Sequence, residues 1–344
     1  NGITFAGLIL LGSKQKIDEL LPSAEIIFEW RQEEKINHDF RKEWREPFLK
    51  VYDDIWQNIS NRNTRIPIQE GLLQNEVLAF NEKAIREALL NAVTHRNYSI
   101  SSQSVFIKAG PQKLTVISPG GFLPGITPKN IIEKQASRNR RIAEVFQKLG
   151  LVERSGQGVD QIFESTIREG KGLPDFFESD NFQVVLNIPA QVKDRNFILF
   201  LEKISKERQI TFSLEEVYEL ELLRENQVVS NLANKNKFLD LGIIEKVGKT
   251  SGIRYILSHK YYKYENRPGI YTRIKGLTRE HKKELILDHI KREGSGKKKD
   301  FRDAFPDLKV SDISNFLQEL KDENKIQRIG SDRAGHWVLG DSAS

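Results

Sequence analysis

The stretch from Asn81 to Val93 constrains the fold more than any other part of the chain. Asn81 is a good helix N-cap, and Ala84, Ile85, Ala88, Leu89, Ala92 and Val93 fall on one apolar stripe at helical spacing. Strands that such a stripe can cover come directly after it. Ser104 to Lys108 and Leu114 to Ile117 alternate at period two on either side of Gly110-Pro111, the pattern of a hairpin, and Phe182, Val184, Leu186 and Ile188 predict a last strand. Between them, Thr127-Pro128 opens a short helix, Asn139 to Leu149 forms another ended by Gly150, and Val159 to Glu169 forms a third ended by Gly170. Helices beside an antiparallel or mixed sheet place the chain in the α+β class, with a two-layer sandwich at its centre.

The flanks read differently. Residues 1 to 60 predict a strand from Ile3 to Leu11, a second from Ala24 to Glu29, and a helix near Glu46 to Ile59 with Val51, Ile55 and Ile59 on one face. Two strands cannot close a core, so this piece either ends a domain begun elsewhere or packs on the elements after it in the chain. After Pro189 two similar units appear. Helices Phe197 to Ser205, Leu214 to Leu223 and Asn226 to Leu239 precede strands Ile243 to Val247 and Ile253 to Leu257. Helices His281 to Lys291, Lys299 to Ala304 and Ser311 to Asp322 then precede Ile326 to Ile329 and His336 to Leu339. Three helices before a β-ribbon is the winged form of helix-turn-helix, whose third helix can enter the major groove. The expected domains are therefore 1–75, 76–190, 191–276 and 277–344, the last two being winged helices.

With 344 residues, 38% hydrophobic and 30% charged, the chain is too long for one small core and too apolar for disorder. No run approaches the roughly 20 apolar residues of a membrane-spanning helix, so no membrane partner is expected. The absence of cysteine excludes disulfide scaffolds, thiolate zinc sites and cysteine nucleophiles, and fits a reducing, cytoplasmic compartment. A chain without methionine that begins at Asn1 reads as a piece of a longer protein. Its six histidines are not arranged for zinc: His281 and His289 share a helix with no acidic partner pattern.

Charge is unevenly placed. Of the net +6, all lies in residues 191 to 344. Lys246, Lys249, Arg254, Lys260, Lys263, Arg267, Arg273 and Lys275 face a single acid, Glu265, and Tyr255, Tyr261, Tyr262, Tyr264 and Tyr271 are threaded through them. Such a strip can neutralise phosphates while its rings pack on sugar or base. The alternative is a solvated face whose tyrosines merely pack.

Candidate chemistry begins at Glu87 and Asn91. One helical turn apart, they share a face distinct from the Ala88/Ala92 stripe. An amide oxygen is a hard, neutral ligand suited to magnesium, and a carboxylate can orient or deprotonate a water. Arg154-Ser155-Gly156-Gln157-Gly158 leads straight into the helix at Val159, where backbone N–H groups can approach an anion, although a plain turn with a helix start has the same composition. Ser118-Pro119-Gly120-Gly121-Phe122-Leu123-Pro124 and the basic stretch Arg138, Arg140, Arg141 lie between and can border a ligand. Gly242 to Gly248-Lys249-Thr250 imitates a phosphate loop but has five intervening residues where four are needed and no helix behind it. His95 reads as a helix end or a packing residue.

The order of these features resembles a known family. REALLNAVTHRNY (Arg86 to Tyr98), SPGGFLPGIT (Ser118 to Thr127) and RNRRIAEVFQKLGLVERSGQGVDQIF (Arg138 to Phe163) are similar to the ATPase-like domain of RecG-related transcriptional regulators and helicases. That domain is a branch of the gyrase B, MutL and histidine-kinase (GHKL) group of ATP-binding domains. The resemblance covers about residues 76 to 190 and implies a left-handed βαβ-type Bergerat sandwich with ATP and magnesium as cofactors. It implies Glu87 as general base, Asn91 as magnesium ligand, Gly156 and Gly158 as phosphate-loop glycines, and Ser118, Gly120 and Gly121 in the purine loop. There the family carries an aspartate in Asp-x-Gly-x-Gly, and Ser118 replaces it with a weaker acceptor. Residues 1 to about 35 look like the tail of the Schlafen-type AlbA_2 DNA-binding domain that usually precedes this one.

Two functional readings are open. In the first, the chain is a DNA-binding transcriptional regulator, its ATPase-like domain sensing a ligand or joining a homodimer, and its winged helices holding double-stranded DNA. The DNA-facing residues would be Gln227, Ser230, Asn231, Asn234 and Lys235 on the first recognition helix, Lys249 and Arg254 on its wing, and Ser314, Asn315 and Gln318 on the second. In the other, it is a magnesium-dependent ATPase whose hydrolysis drives a conformational cycle, and not a true helicase.

Overall fold

The first departure from these expectations comes at Ile3 to Leu11. In the computed structural model this segment contains helix α1 (Phe5–Leu11), not a strand, and the Thr4 hydroxyl caps it by accepting from the Gly7 N–H at 3.2 Å. An apolar run of this length suits a strand or a buried helix equally by periodicity. Here the cap and the burial of Leu8, Ile9 and Leu10 decide for the helix. The structure describes all residues except 1–2, 35, 71–72, 129, 133, 135, 153–157, 227, 248–252, 265–278, 305–309, 331–334 and 341–344. Helix α2 (Lys14–Leu20) is next, then β1 (Ile26–Trp30), β2 (Phe40–Trp44) and α3 (Phe48–Ser60), with Val51, Ile55 and Ile59 buried as their spacing requires. Strand β2 was not legible, because Phe-Arg-Lys-Glu-Trp is a polar edge strand, paired only with β1. A separate antiparallel hairpin pairs β3 (Arg65–Glu70) with β4 (Leu73–Leu78).

Helix α4 (Glu82–His95) is the Asn81 helix, and it precedes the hairpin β5 (Val105–Ala109) and β6 (Lys113–Pro119). The Thr127-Pro128 segment makes turns rather than a helix, its Thr127 N–H taken by the Asn130 side chain at 2.8 Å. Helices α5 (Arg140–Lys148) and α6 (Gly158–Arg168) are succeeded by Gly150 and Gly170, both at positive φ (69° and 72°), the left-handed stop that glycine provides. Strand β7 (Gln183–Pro189) completes a five-stranded sheet in the order β2-β1-β5-β6-β7. Strand β1 runs parallel to β5, and the other neighbours are antiparallel. Of the two fates open to the amino-terminal segment, it has the second: β1 and β2 extend the sheet built by β5, β6 and β7. Phe28, Ile107, Val116 and Leu186 line up in register across it, all buried. Helix α4 lies on β6 beside α6, so its small alanines meet the sheet side while α3 and α5 flank it.

Helix α7 (Arg195–Arg208) and helix α8 (Leu214–Asn226) come next. The chain divides into two compact units, Asn1–Leu222 and Leu223–Ser344, with the boundary inside α8. The second unit contains α9 (Lys235–Asp240), β8 (Ile244–Val247), β9 (Arg254–Leu257) and α10 (His259–Tyr264). It continues with α11 (Arg279–Glu293), α12 (Lys298–Ala304), α13 (Val310–Asp322), β10 (Ile326–Ile329) and β11 (His336–Leu339). Ile286 and Ile290 of α11, Phe301 of α12, Phe316 and Leu320 of α13 and Trp337 of β11 share one core. Helix α9 is much shorter than the Asn226 to Leu239 helix expected. Val229 instead exchanges backbone hydrogen bonds with Tyr255 (3.1 and 2.7 Å), and β-branched Val228-Val229 favours that extended path.

Replacing Asn81 with alanine removes the cap that accepts from Lys83 N–H at 2.9 Å and the amide that donates to Glu169 at 2.7 Å. The expected loss is about 1–3 kcal/mol of unfolding free energy, read from the urea midpoint.

Candidate functional site

Helix α4 is anchored at both ends. At its start, Asn81 donates to Glu169, which pairs with Lys171, and Lys171 Nζ donates to the Leu78 carbonyl at 2.6 Å. Burial holds the Lys171 ammonium below the usual lysine range, and the Glu169 carboxylate partly offsets this. At its end no glycine stops the helix. Side chains from elsewhere take its last carbonyls: Ser118 Oγ donates to Ala92 O (2.9 Å), Tyr98 to Val93 O (3.0 Å), Asn139 Nδ2 to Thr94 O (2.8 Å) and Arg138 Nε to His95 O (2.9 Å). Arg96, almost wholly buried, donates to carbonyls of Ser23, Ile100 and Gln103 at 2.7 to 3.2 Å.

Between these anchors Glu87 and Asn91 face a pocket of about 540 Å³. Val116 and Ser118 of β6 and Val184 and Leu186 of β7 form its sheet wall, Arg138 and Phe146 lie on the α5 side, and Gly158 and Ile162 come from α6. Asn91 Nδ2 donates to Glu87 Oε1 at 3.1 Å, which turns the amide oxygen away from the carboxylate. Gly158 sits against that carboxylate so closely that a Cβ there would lie 1.8 Å from Glu87 Oε1, so a side chain at this position would push the carboxylate aside. Ser118 is buried with its proton given to Ala92, and its lone pairs remain to accept. Phe122 and Phe176 meet edge to face (5.8 Å, 66°) in the pocket wall. Arg138 ties the loop to the helix, its second nitrogen donating to the Gly121 carbonyl at 2.6 Å.

Of the residues expected to hold a cofactor, the structure gathers Glu87, Asn91, Ser118, Gly121 and Gly158 around this one pocket. Gly120 does not line it. Its φ of 100° and the 2.6 Å that a Cβ would leave to the Asn97 Cβ give it the role of turning the loop. Gly156 lies outside the described residues. His95 ends α4, as its place in the sequence leads one to expect, and also lines the pocket, whereas Phe176, from a distant loop, carried no local signal. Burial and the Arg138 cation push the His95 imidazole down to about 4, so it is neutral at physiological pH.

Could the pocket hold magnesium and a nucleotide? Among the described residues no group of three or more His, Cys, Asp or Glu is placed to hold a metal. The donors present, one carboxylate and one amide oxygen, suit magnesium, which binds through few protein oxygens and completes its shell with water and phosphate. They fit a cation that arrives with its nucleotide.

The DNA-facing candidates are more scattered. Gln227 and Lys249 lie outside the described residues. Ser230 and Asn231 are exposed, but in the bend before α9 and not on a recognition helix. Asn234 precedes α9, Lys235 begins it, and Arg254 is exposed at the start of β9. On α13, Ser314 is half-buried, Asn315 is exposed, and exposed Gln318 donates to Asp322 at 2.9 Å. The tyrosine-laced strip needs correction. Tyr255, Tyr261 and Tyr262 are buried in the second unit and only Tyr264, of those described, is exposed, so three rings serve the core and not a ligand. Lys246, Arg254 and Lys260 do remain exposed.

Comparison with known proteins bears on the segment that supplies the sheet wall. Residues 102–186 match a family model described as "Putative ATP-dependent DNA helicase recG C-terminal". This segment, which carries Ser118, Gly121 and Gly158 but begins after α4, is similar to an ATPase-type domain. A crystal structure of the DIP2311 protein from Corynebacterium diphtheriae is similar at a TM-score of 0.61 and 21% identity, over 77% of this chain and 56% of that one. This chain thus spans little more than half of that protein, and the likeness is one of fold. No curated protein matches. No helix among the described residues is long and apolar enough to cross a membrane.

Because the native state keeps His95 neutral, the unfolded chain takes up its proton first as pH falls from about 6.5 toward 4. Stability should drop over that window, by up to about 2 kcal/mol at pH 5, and His95→Gln should flatten the dependence when urea midpoints at pH 7.5 and 5.0 are compared.

Proposed function

We propose that this chain is a nucleotide-responsive DNA-binding regulator. The observation that carries the reading is the convergence of Glu87, Asn91, Ser118, Gly121 and Gly158 on one pocket between the sheet and its helices. They come from three separate stretches of sequence, and the family match to residues 102–186 supports an ATPase-type domain there. In this reading Asn91 holds magnesium through its amide oxygen, Gly158 lets the start of α6 approach phosphate, and the sheet wall takes the base. Magnesium, when bound, neutralises phosphate charge. Arg138 keeps the loop and the helix end at a fixed separation. Hydrolysis is the companion reading, favoured by a Glu87 carboxylate oriented by Asn91.

Equilibrium binding of ATP with magnesium to the intact chain tests the pocket. Wild type is expected to bind, Asn91→Ala to weaken binding at least about tenfold, which is about 1.4 kcal/mol, and Glu87→Gln to bind but release no phosphate. Absence of binding by wild type removes the nucleotide reading. Phosphate release that survives Glu87→Gln removes that residue as general base.

The DNA half rests on three helices before a two-stranded ribbon in residues 279–339, on the recurrence of that order in α7, α8, α9, β8 and β9, and on exposed Lys246, Arg254 and Lys260. A homodimer belongs to the same proposal. With the rings buried, affinity should come from phosphate contacts. Anisotropy with a labelled duplex should show steep weakening between about 50 and 200 mM salt, and Lys246→Ala and Arg254→Ala should each lower the salt slope by about one. Salt-insensitive binding, or none, overturns this half.

A further inference from the structure

We infer that the pocket accepts nucleotides whose base presents either an amino or an oxo group to the sheet wall, and that Ser118 sets this tolerance. The inference rests on the nucleotide reading and adds the class of base. Among the described residues, the carboxylates lining the pocket are Glu87 and Glu144, both on helices. One is engaged by Asn91 and the other by Arg140 at 3.1 Å. The polar group that the sheet wall offers is the Ser118 hydroxyl, set among Val116, Val184 and Leu186.

A hydroxyl both donates and accepts. With its proton on Ala92 O, as found, Ser118 presents lone pairs suited to an exocyclic amine. Rotation about the Cβ–Oγ bond lets it donate to a keto oxygen instead. That rotation strands no buried acceptor, because Ala92 O also receives the Arg96 backbone N–H at 3.1 Å. A carboxylate at this place would bind the amine more strongly and repel the keto oxygen. The Phe122–Phe176 pair favours a flat ring without reading its edge. The second neutral group in the wall, His95, likewise carries one donor and one acceptor.

Equilibrium dialysis of the full chain with magnesium and either ATP or inosine triphosphate, which carries the 6-oxo group, decides the matter. Wild type is expected to bind the two within about threefold of each other, and Ser118→Asp to raise the preference for ATP at least about tenfold. Ser118→Ala, which adds no volume or charge, should weaken both by the same factor. A wild-type preference for either nucleotide beyond about tenfold, an unchanged ratio in Ser118→Asp whose circular dichroism matches wild type, or a loss in Ser118→Ala confined to one nucleotide overturns the inference. ATP binding without inosine triphosphate binding sinks this inference and leaves the nucleotide reading standing. Failure of wild type to bind either sinks both.

Discussion

The structure of the first unit depends on how α4 is terminated. A helix end leaves four carbonyls without partners, and burying them unpaired would cost more than the helix gains. Here Tyr98 takes Val93, Asn139 takes Thr94 and Arg96, and Arg138 takes His95, while Ser118 adds a second donor to Ala92, whose carbonyl already accepts from the Arg96 N–H. Three of these four donors come from β6 or from the turn before α5. Satisfying the helix end therefore assembles the pocket wall at the same time, and the requirement that folds the domain also places its candidate chemistry.

Glycine sets the other close approach. Because Gly158 has no side chain, the start of α6 can lie against the Glu87 carboxylate, so the positive end of that helix meets a negative charge. The apolar sheet wall and half-buried His95 complete the pocket. Ser118 thereby serves twice, as a helix cap and as the polar group of the sheet wall.

The second unit shows how composition can mislead. A basic strip interleaved with tyrosines has the chemistry of a nucleic-acid surface, yet a small unit has few ways to build a core and uses the aromatics that it has. Tyr255 is buried on β9 together with Ile256 and Leu257, and Tyr261 and Tyr262 pack together at 5.0 Å on a short helix. Arg254 and Lys260 beside them stay outside because desolvating a charge is costly. Charge count predicted the solvent-facing half of the strip and could say nothing about the rings.

Local pattern alone determined the Asn81 cap and stripe, the β5–β6 hairpin, the glycine stops at 150 and 170, and the i, i+4 placement of Glu87 and Asn91, because each depends on residues within a turn or two of one another. It failed at Ile3 to Leu11, where an apolar run suits two conformations, and at Val228 to Asn234, where pairing with Tyr255 overrides a helical pattern. Only the tertiary structure decided that the first strands join the later sheet, that Ser118 caps a helix, that Phe176 meets Phe122, and that His95 faces the pocket. Those facts depend on contacts between residues far apart in the chain. Such contacts form only when buried polar groups and apolar surfaces from several elements are satisfied together, and no local periodicity records them.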